Sequence, residues 1–233
     1  MTDRQVVSRE NWLKARLELL EAEKAHTHQR EALTRKRMAM PWERVEKDYR
    51  FEGPNGPLSL SALFEGRSQL IVYHFMFGPD WEQGCPSCSF WADNFNGIPI
   101  HLNNRDVTFV AISRAPLERI EAYKSRMGWS FPWFSSNGSD FNRDFQAAVT
   151  PDELASGVAY YNYKVQPNGA SDMVGISVFA KDEAGEVFHT YSCYSRGVEM
   201  VNGAYHYLDL VPKGRSESGL AYDQAWVRRH DQY

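Results

Sequence analysis

The stretch Leu70–Trp91, LIVYHFMFGPDWEQGCPSCSFW, decides how the chain is read. It opens on a nearly continuous apolar run, LIVYHFMF, the pattern of a strand buried on both faces. A loop, FGPDWEQG, follows, and then Cys85-Pro86-Ser87-Cys88 ahead of Phe90, Trp91, Phe95 and Ile98 at helical spacing. A strand thus hands two cysteines to the start of a helix. A helix N-terminus has unpaired N–H groups and the positive end of the dipole, and both favour a thiolate over a thiol. Pro86 suits the first helical position, where the missing N–H costs nothing. Cys88 lies one turn further on the same face, placed to attack a mixed disulfide formed at Cys85. Cys85 is therefore the expected nucleophile and Cys88 the expected resolving thiol.

Working outward, VTFVAIS (107–113) reads as a second buried strand. An amphipathic helix follows, with Pro116 at its start, Leu117, Ile120 and Tyr123 on one face, and Gly128 at its end. Strand, helix, strand implies a parallel pairing. Later, GISVFAKDEAGEVFHTYSCY alternates as a hairpin around 182–185 and adds antiparallel strands. Upstream, Val45 to Leu60 reads as a hairpin about Gly53-Pro54-Asn55-Gly56, with one helical turn over 61–65. Residues 8–39 read as one long helix with a thin apolar stripe (Trp12, Leu13, Leu17, Leu20), stopped by Pro41. WSFPWFSSNGSDFNRDF reads as loop, and 144–172 as an insertion. The expected fold class is α/β, a mixed sheet flanked by helices, with an added long N-terminal helix and an insertion before the last hairpin. Residues 1–40 form a helical arm and 41–233 the domain.

The chain has 233 residues, 42% hydrophobic and 24% charged, which is ordinary globular composition. A net charge of −4 recruits neither nucleic acid nor an anionic membrane. The longest apolar run, Leu70–Phe77, is too short to span a bilayer. Three cysteines are too few for a secreted disulfide scaffold, and MTDRQVVSREN has no apolar core of a signal peptide. The expected compartment is the cytoplasm, where a C-x-x-C pair is more often catalytic than structural. A structural zinc site wants four ligands. Here there is one cysteine pair, and Cys193, His74, His101, His189 and His206 lack diagnostic spacing. No metal and no cofactor are expected.

Other residues have both a bland and a functional reading. Trp81 and Glu82 precede the motif: Trp81 as packing or as a flank to the thiols, Glu82 as a solvated carboxylate or a proton shuttle. Arg114 stands at the C-terminal end of a strand, where α/β sites form, and would pair with a thiolate or an acidic ligand, or simply solvate. His189 reads as a half-buried strand residue, and Cys193 as a buried cysteine or a third redox partner. Trp129, Phe131, Trp133 and Phe134 either wall a cleft or fill a core.

The segments SQLIVYHFMFGPDWEQGCPSCSFWADN, RDVTFVAISRAPLERIEAYKSRMGW, FPWFSS and VFHTYS together resemble a bacterial family of predicted dithiol-disulfide oxidoreductases. That family is catalogued as domain of unknown function 899 and assigned to the thioredoxin-like superfamily. The resemblance spans nearly the whole chain and implies a thioredoxin-like sheet. A broader similarity is to peroxiredoxin-like proteins. Their P-x-x-x-T-x-x-C pattern has Pro and Thr where this chain has Gly78 and Glu82, which argues against a peroxidase. Thioredoxins carry a cis-proline opposite the dithiol, on backbone that holds the substrate chain. Met173-Val174-Gly175-Ile176-Ser177 has no proline, which argues against general protein-disulfide reduction.

What the resemblance and the motif imply together is a cytosolic thiol–disulfide oxidoreductase using Cys85 and Cys88, with Trp81, Glu82, Pro86 and Arg114 as supporting candidates. Its partner would be a disulfide-containing protein or a small-molecule thiol substrate. The alternative is a non-catalytic thioredoxin-like ligand- or protein-binding module with unreactive or zinc-bound cysteines. A homodimer through the N-terminal arm is the minority expectation.

Overall fold

The computed structural model describes residues 5–233 and divides into two units that part between Pro41 and Trp42. The first unit is helix α1 (Arg9–Met38). The Ser8 hydroxyl caps it by accepting from the Asn11 N–H at 3.3 Å, and Arg35, Lys36 and Arg37 sit at the negative end of its dipole. None of its residues is buried.

The second unit is built on an eight-stranded mixed sheet. Its strands are β1 (Glu43–Arg44), β2 (Arg50–Gly53), β3 (Gly56–Ser59), β4 (Gln69–His74), β5 (Val107–Ser113), β6 (Trp133–Ser135), β9 (Gly175–Lys181) and β10 (Val187–Tyr194). They run in the order β1-β10-β9-β4-β5-β6-β2-β3. Central β4 pairs parallel with β5, Leu70 opposite Thr108, and antiparallel with β9, Leu70 opposite Phe179. Helices α2 (Pro86–Ala92) and α3 (Ile98–Asn103) carry the crossover from β4 to β5, and α4 (Leu117–Arg126) the crossover from β5 to β6. A parallel pair flanked by the antiparallel β9–β10 hairpin is the thioredoxin-like arrangement.

The apolar run of β4 is explained by its two covered faces. Leu70 and Val72 point into one cluster, with Val110, Ile112, Phe51 and Phe179. Tyr73 and Phe75 point into the other, with Ala111, Trp91, Phe95 and Trp133. A strand covered on both sides cannot alternate in polarity. One polar seam crosses this core. His74 Nε2 lies 2.9 Å from Ser177 Oγ, Ser177 Oγ 2.9 Å from Ser192 Oγ, and His189 Nε2 2.7 Å from Ser192 Oγ.

Two expectations are corrected. The stretch read as loop over 129–145 contains β6, which pairs parallel with β5, and the short α5 (Phe141–Asp144). Three residues are too few to show strand periodicity, and the pairing is set by β5, not by local preference. The helix expected through Ile98 breaks after Ala92: the Asp93 carboxylate accepts from Trp129 Nε1 at 2.9 Å, and Asn96 Oδ1 accepts the Ser130 N–H at 2.8 Å. A second helix, α3, restarts at Ile98. Within the hairpin read over Val45–Leu60, β2 and β3 pair antiparallel, Phe51 opposite Leu58, and just before it residues 43–44 form the edge strand β1 on β10.

The insertion has structure of its own. Thr150 and Glu153 form a reciprocal capping box for α6 (Pro151–Ser156). Then β7 (Val158–Tyr161) and β8 (Lys164–Pro167) form a separate two-stranded ribbon, with Asn162 and Tyr163 left-handed in the turn. After β10, the chain forms α7 (Gly203–Leu210) and ends in irregular structure with one short turn of helix.

Candidate active site

The site begins where β4 leaves the sheet. The Phe75 N–H still donates to Ile112 O at 2.9 Å, and the next residue turns to the cysteines. Met76 holds both: its carbonyl accepts the Cys85 N–H at 3.0 Å, and its own N–H donates to the Cys88 sulfur at 3.4 Å. The loop returning from Gly78 brings Gly84 hard against Phe75 and Tyr123. A Cβ there would stand 2.7 Å from a ring carbon of each, so only glycine lets the chain pass.

Cys85 is the N-cap of α2, and Pro86 takes the first helical position. The Cys85 carbonyl accepts from the Ser89 N–H and from the Ser89 hydroxyl, both at 2.9 Å. Ser89 Oγ in turn lies 2.8 Å from the Tyr123 hydroxyl, which accepts from Arg229 Nε at 2.9 Å. Arg229 also donates through Nη2 to the Gly84 carbonyl at 2.7 Å. The segment that carries it is tied down beside it: Arg126 grips Asp231 in a two-pronged ion pair at 2.7 and 3.0 Å, and His230 Nδ1 lies 2.6 Å from Asp93 Oδ1.

The two thiols are electrostatically unequal. Cys85 is lowered to about 6, first by the hydrogen bond from the Cys88 thiol, then by the N–H groups of Cys88 and Ser87 and by the charge of Arg229; burial opposes these. Cys88 is buried, and burial pushes it well above the ordinary thiol range, with the neighbouring Cys85 adding to the rise. The Tyr73 hydroxyl, itself buried, interacts with Cys88 and has no oxygen or nitrogen partner among the described residues. One side of the dithiol opens on a cleft of about 400 Å³, whose walls include Tyr73, Met76, Cys88, Trp91, Tyr161 and Val174.

Of the residues singled out from sequence, Cys85, Cys88 and Pro86 come together at the head of α2. Trp81 is half-buried against the core beside them, its indole nitrogen so close to Gly78 that a Cβ there would stand 2.9 Å away. Glu82 is exposed and, among the described residues, has no hydrogen-bond or ion-pair partner. Arg114 does not face a thiolate: it clasps the buried Asp172 at 3.0 and 2.7 Å and the Ser171 carbonyl at 3.1 Å. Trp129 and Trp133 are core, packed against Phe75, Phe131 is core against Phe95 and Trp129, and Phe134 packs against the opposite cluster. Cys193 is buried in the same cluster as Cys88, and Tyr161 is within electrostatic reach of both. Among the described residues no three His, Cys, Asp or Glu are grouped to hold a metal ion.

Sequence reading missed Tyr73, Tyr161, Arg229 and the backbone of Met76. Tyr73 was within reach, since the period of a strand puts Ile71, Tyr73 and Phe75 on one face. Arg229 carries no local signal, because it meets Gly84 across 145 residues.

Among solved structures, the chain is similar to the Xanthomonas campestris bacterioferritin comigratory protein studied for alkyl peroxide reduction. The two are 11% identical, over 66% of this chain and 86% of that one, with a TM-score of 0.47. It is similar also to peroxidoxin BcpB from Mycobacterium tuberculosis (16% identity, 70% and 93% covered, TM-score 0.41). A hypothetical protein from Sinorhizobium meliloti is 14% identical, with 64% and 69% covered and a TM-score of 0.39. None of the curated proteins matches. The family described as "Bacterial protein of unknown function (DUF899)" matches residues 1–233, and the chain belongs to that family.

Proposed function

We propose that the protein is a thiol–disulfide oxidoreductase whose reacting groups are Cys85 and Cys88. The observation that carries this is the opposed tuning of two hydrogen-bonded thiols one helical turn apart, Cys85 down and Cys88 up. A thiolate of low pKa at Cys85 attacks one sulfur of a disulfide RSSR′. The S–S bond breaks, R′S⁻ leaves and takes a proton from solvent, and RS stays on Cys85 as a mixed disulfide. With the Cys85 thiolate consumed, its charge no longer adds to the burial that holds Cys88 protonated. Cys88 attacks the Cys85 sulfur, the departing RS⁻ takes up the Cys88 proton, and the Cys85–Cys88 disulfide remains. Two electrons have passed to the substrate, and an external thiol donor restores the dithiol. The reading requires no cofactor and includes a cytoplasmic location, where such a pair is kept reduced. A homodimer through α1 is a separate proposal, tested by the molar mass in solution.

The test is a redox titration of the pair, with alkylation read by mass spectrometry. A reversible two-electron couple, lost in Cys85→Ser with the fold retained, supports the assignment. Thiols that never pair, or that react only after zinc is stripped, favour the binding module instead. Consumption of hydrogen peroxide at rates above those for disulfides would replace the reading with a thiol peroxidase.

A further inference from the structure

One wall of the cleft that Cys88 lines is the chain that leads into β9. Met173 and Val174 line it. An extended polypeptide docks on such a segment by adding a strand, which needs its N–H and C=O groups unspent. Here each of the two residues has one of its pair already spent. The Met173 N–H donates to Ala147 O at 2.9 Å, and the Val174 carbonyl accepts from the Tyr161 hydroxyl at 2.7 Å. The same hydroxyl accepts the Ser195 N–H at 2.8 Å, so Tyr161 is fixed from two sides. It comes from β7 of the insertion, which therefore caps the wall a peptide would use.

What remains is a pocket within the size range of small-ligand sites. Most of its wall is apolar or aromatic, from Tyr73, Met76, Trp91, Tyr161, Val174 and Val198, and its polar lining is Ser87, Ser195, Arg196, Glu199, Asp223 and Gln224. Its charged groups offer little to an anionic substrate. Arg196 is paired with Glu199 at 2.8 Å, and Glu199 also with Arg215 at 3.0 Å. Cys88 is part of the wall and its thiol is hydrogen-bonded to Cys85, which stands behind it and does not itself line the cleft, so the nucleophile is the next sulfur beyond the wall.

We infer that the cleft takes a small organic disulfide with an apolar body and that an extended polypeptide is not its substrate. The inference rests on the oxidoreductase reading and names the substrate class of that site. The exchange is the one written above, with RSSR′ the small disulfide, reduced by two electrons to two thiols while Cys85 and Cys88 become a disulfide.

The experiment mixes the full-length reduced protein with three probes. They are bis(2-phenylethyl) disulfide, bis(2-hydroxyethyl) disulfide, and two hexapeptides joined through one cysteine each. Each rate is divided by that probe's rate with free 2-mercaptoethanol, which removes intrinsic reactivity. The phenylethyl probe is expected to exceed the peptide pair and the hydroxyethyl probe by about tenfold or more, the scale of apolar-pocket discrimination. Met173→Trp, which fills the cleft, should bring the phenylethyl and hydroxyethyl ratios together. Tyr161→Phe, which frees the Val174 carbonyl, should raise the peptide ratio. A peptide ratio equal to or above the phenylethyl one overturns the inference and leaves the oxidoreductase reading standing. If no probe reacts faster with the protein than with free thiol, both fall.

Discussion

The guanidinium of Arg229 donates to the carbonyl of Gly84 at 2.7 Å, joining positions 145 residues apart and placing a fixed positive charge beside the residue that precedes the candidate nucleophile. Through Tyr123 and Ser89 the same guanidinium is linked by hydrogen bonds to the Cys85 carbonyl. Arg229→Gln removes the charge and keeps a donor. The Cys85 thiol should rise, and by less than the loss of its hydrogen bond from Cys88 would raise it, because that hydrogen bond is the larger cause. The rate of iodoacetamide alkylation against pH measures it. An unchanged profile would make Arg229 a structural tie only.

The hydrogen bond from Cys88 is the larger cause of the low Cys85 value, and this orders a second pair of variants. In the wild-type protein Cys85 alkylation should be half-maximal near pH 6. Cys88→Ala deletes the donor, so the thiolate loses its main support and the midpoint should move up further than in Arg229→Gln. Cys88→Ser keeps a donor and should fall between the wild-type protein and Cys88→Ala. A Cys88→Ala midpoint no higher than that of Arg229→Gln would mean that helix dipole or backbone N–H groups dominate.

His74 is fully buried in the polar seam between β4 and β9, and its Nδ1 has no partner among the described residues. Burial holds its pKa down to about 3, with His189 adding to the effect. An unfolded histidine titrates near 6.5. Between those values the unfolded chain binds a proton that the folded chain refuses. The stability that neutral His74 supplies is thus complete above about pH 6.5 and is lost as pH falls toward about 3, by at most roughly 5 kcal/mol. His74→Phe should flatten the dependence of urea-unfolding stability over that window, at a cost near pH 7 of about 1 kcal/mol for the lost hydrogen bond. A slope identical to the wild-type one would assign the acid sensitivity to other groups.

Two glycines make a matched comparison for the site loop. A Cβ on Gly84 would meet the buried rings of Phe75 and Tyr123 at 2.7 Å, and neither can swing away. Around Gly97 a Cβ meets nothing within 4 Å. Gly84→Ala should destabilise by about 1–3 kcal/mol, the range for overpacking. Gly97→Ala should be near neutral. Thermal melts of both decide it, and equal melting temperatures would show that the loop carrying Cys85 adjusts freely.

The parts of this fold legible from sequence are those whose pattern is local. The double-sided burial of β4 shows as an unbroken apolar run, the β9–β10 hairpin shows as alternation about a turn, and Cys85-Pro86 shows as a helix start. The capping box at Thr150 and Glu153 was equally local and was overlooked. What stayed hidden depends on distant partners. Strand β6 exists because β5 offers it hydrogen bonds, the break at Asp93 depends on Trp129, and the capped wall at Val174 depends on Tyr161 from another sheet. Arg114 shows the opposite error. Its place at the end of β5 suggested a ligand, and its carboxylate partner, Asp172, lies 58 residues further on.

That ion pair yields the last prediction. Asp172 is almost completely buried and Arg114 only partly exposed, so the pair is shielded on one side. Removing the guanidinium leaves a carboxylate in the interior without its counter-charge, which costs about 3 kcal/mol or more. Arg114→Met should therefore lower stability strongly. The alkylation profile of Cys85 in the folded protein should stay in place, because Arg114 is spent on Asp172 and Ser171. Arg114→Met combined with Asp172→Asn removes the orphaned charge and should recover part of the loss. Urea unfolding and thiol alkylation on the same samples separate the roles. A stable Arg114→Met whose Cys85 reacts more slowly would move Arg114 from the scaffold into the chemistry of the dithiol.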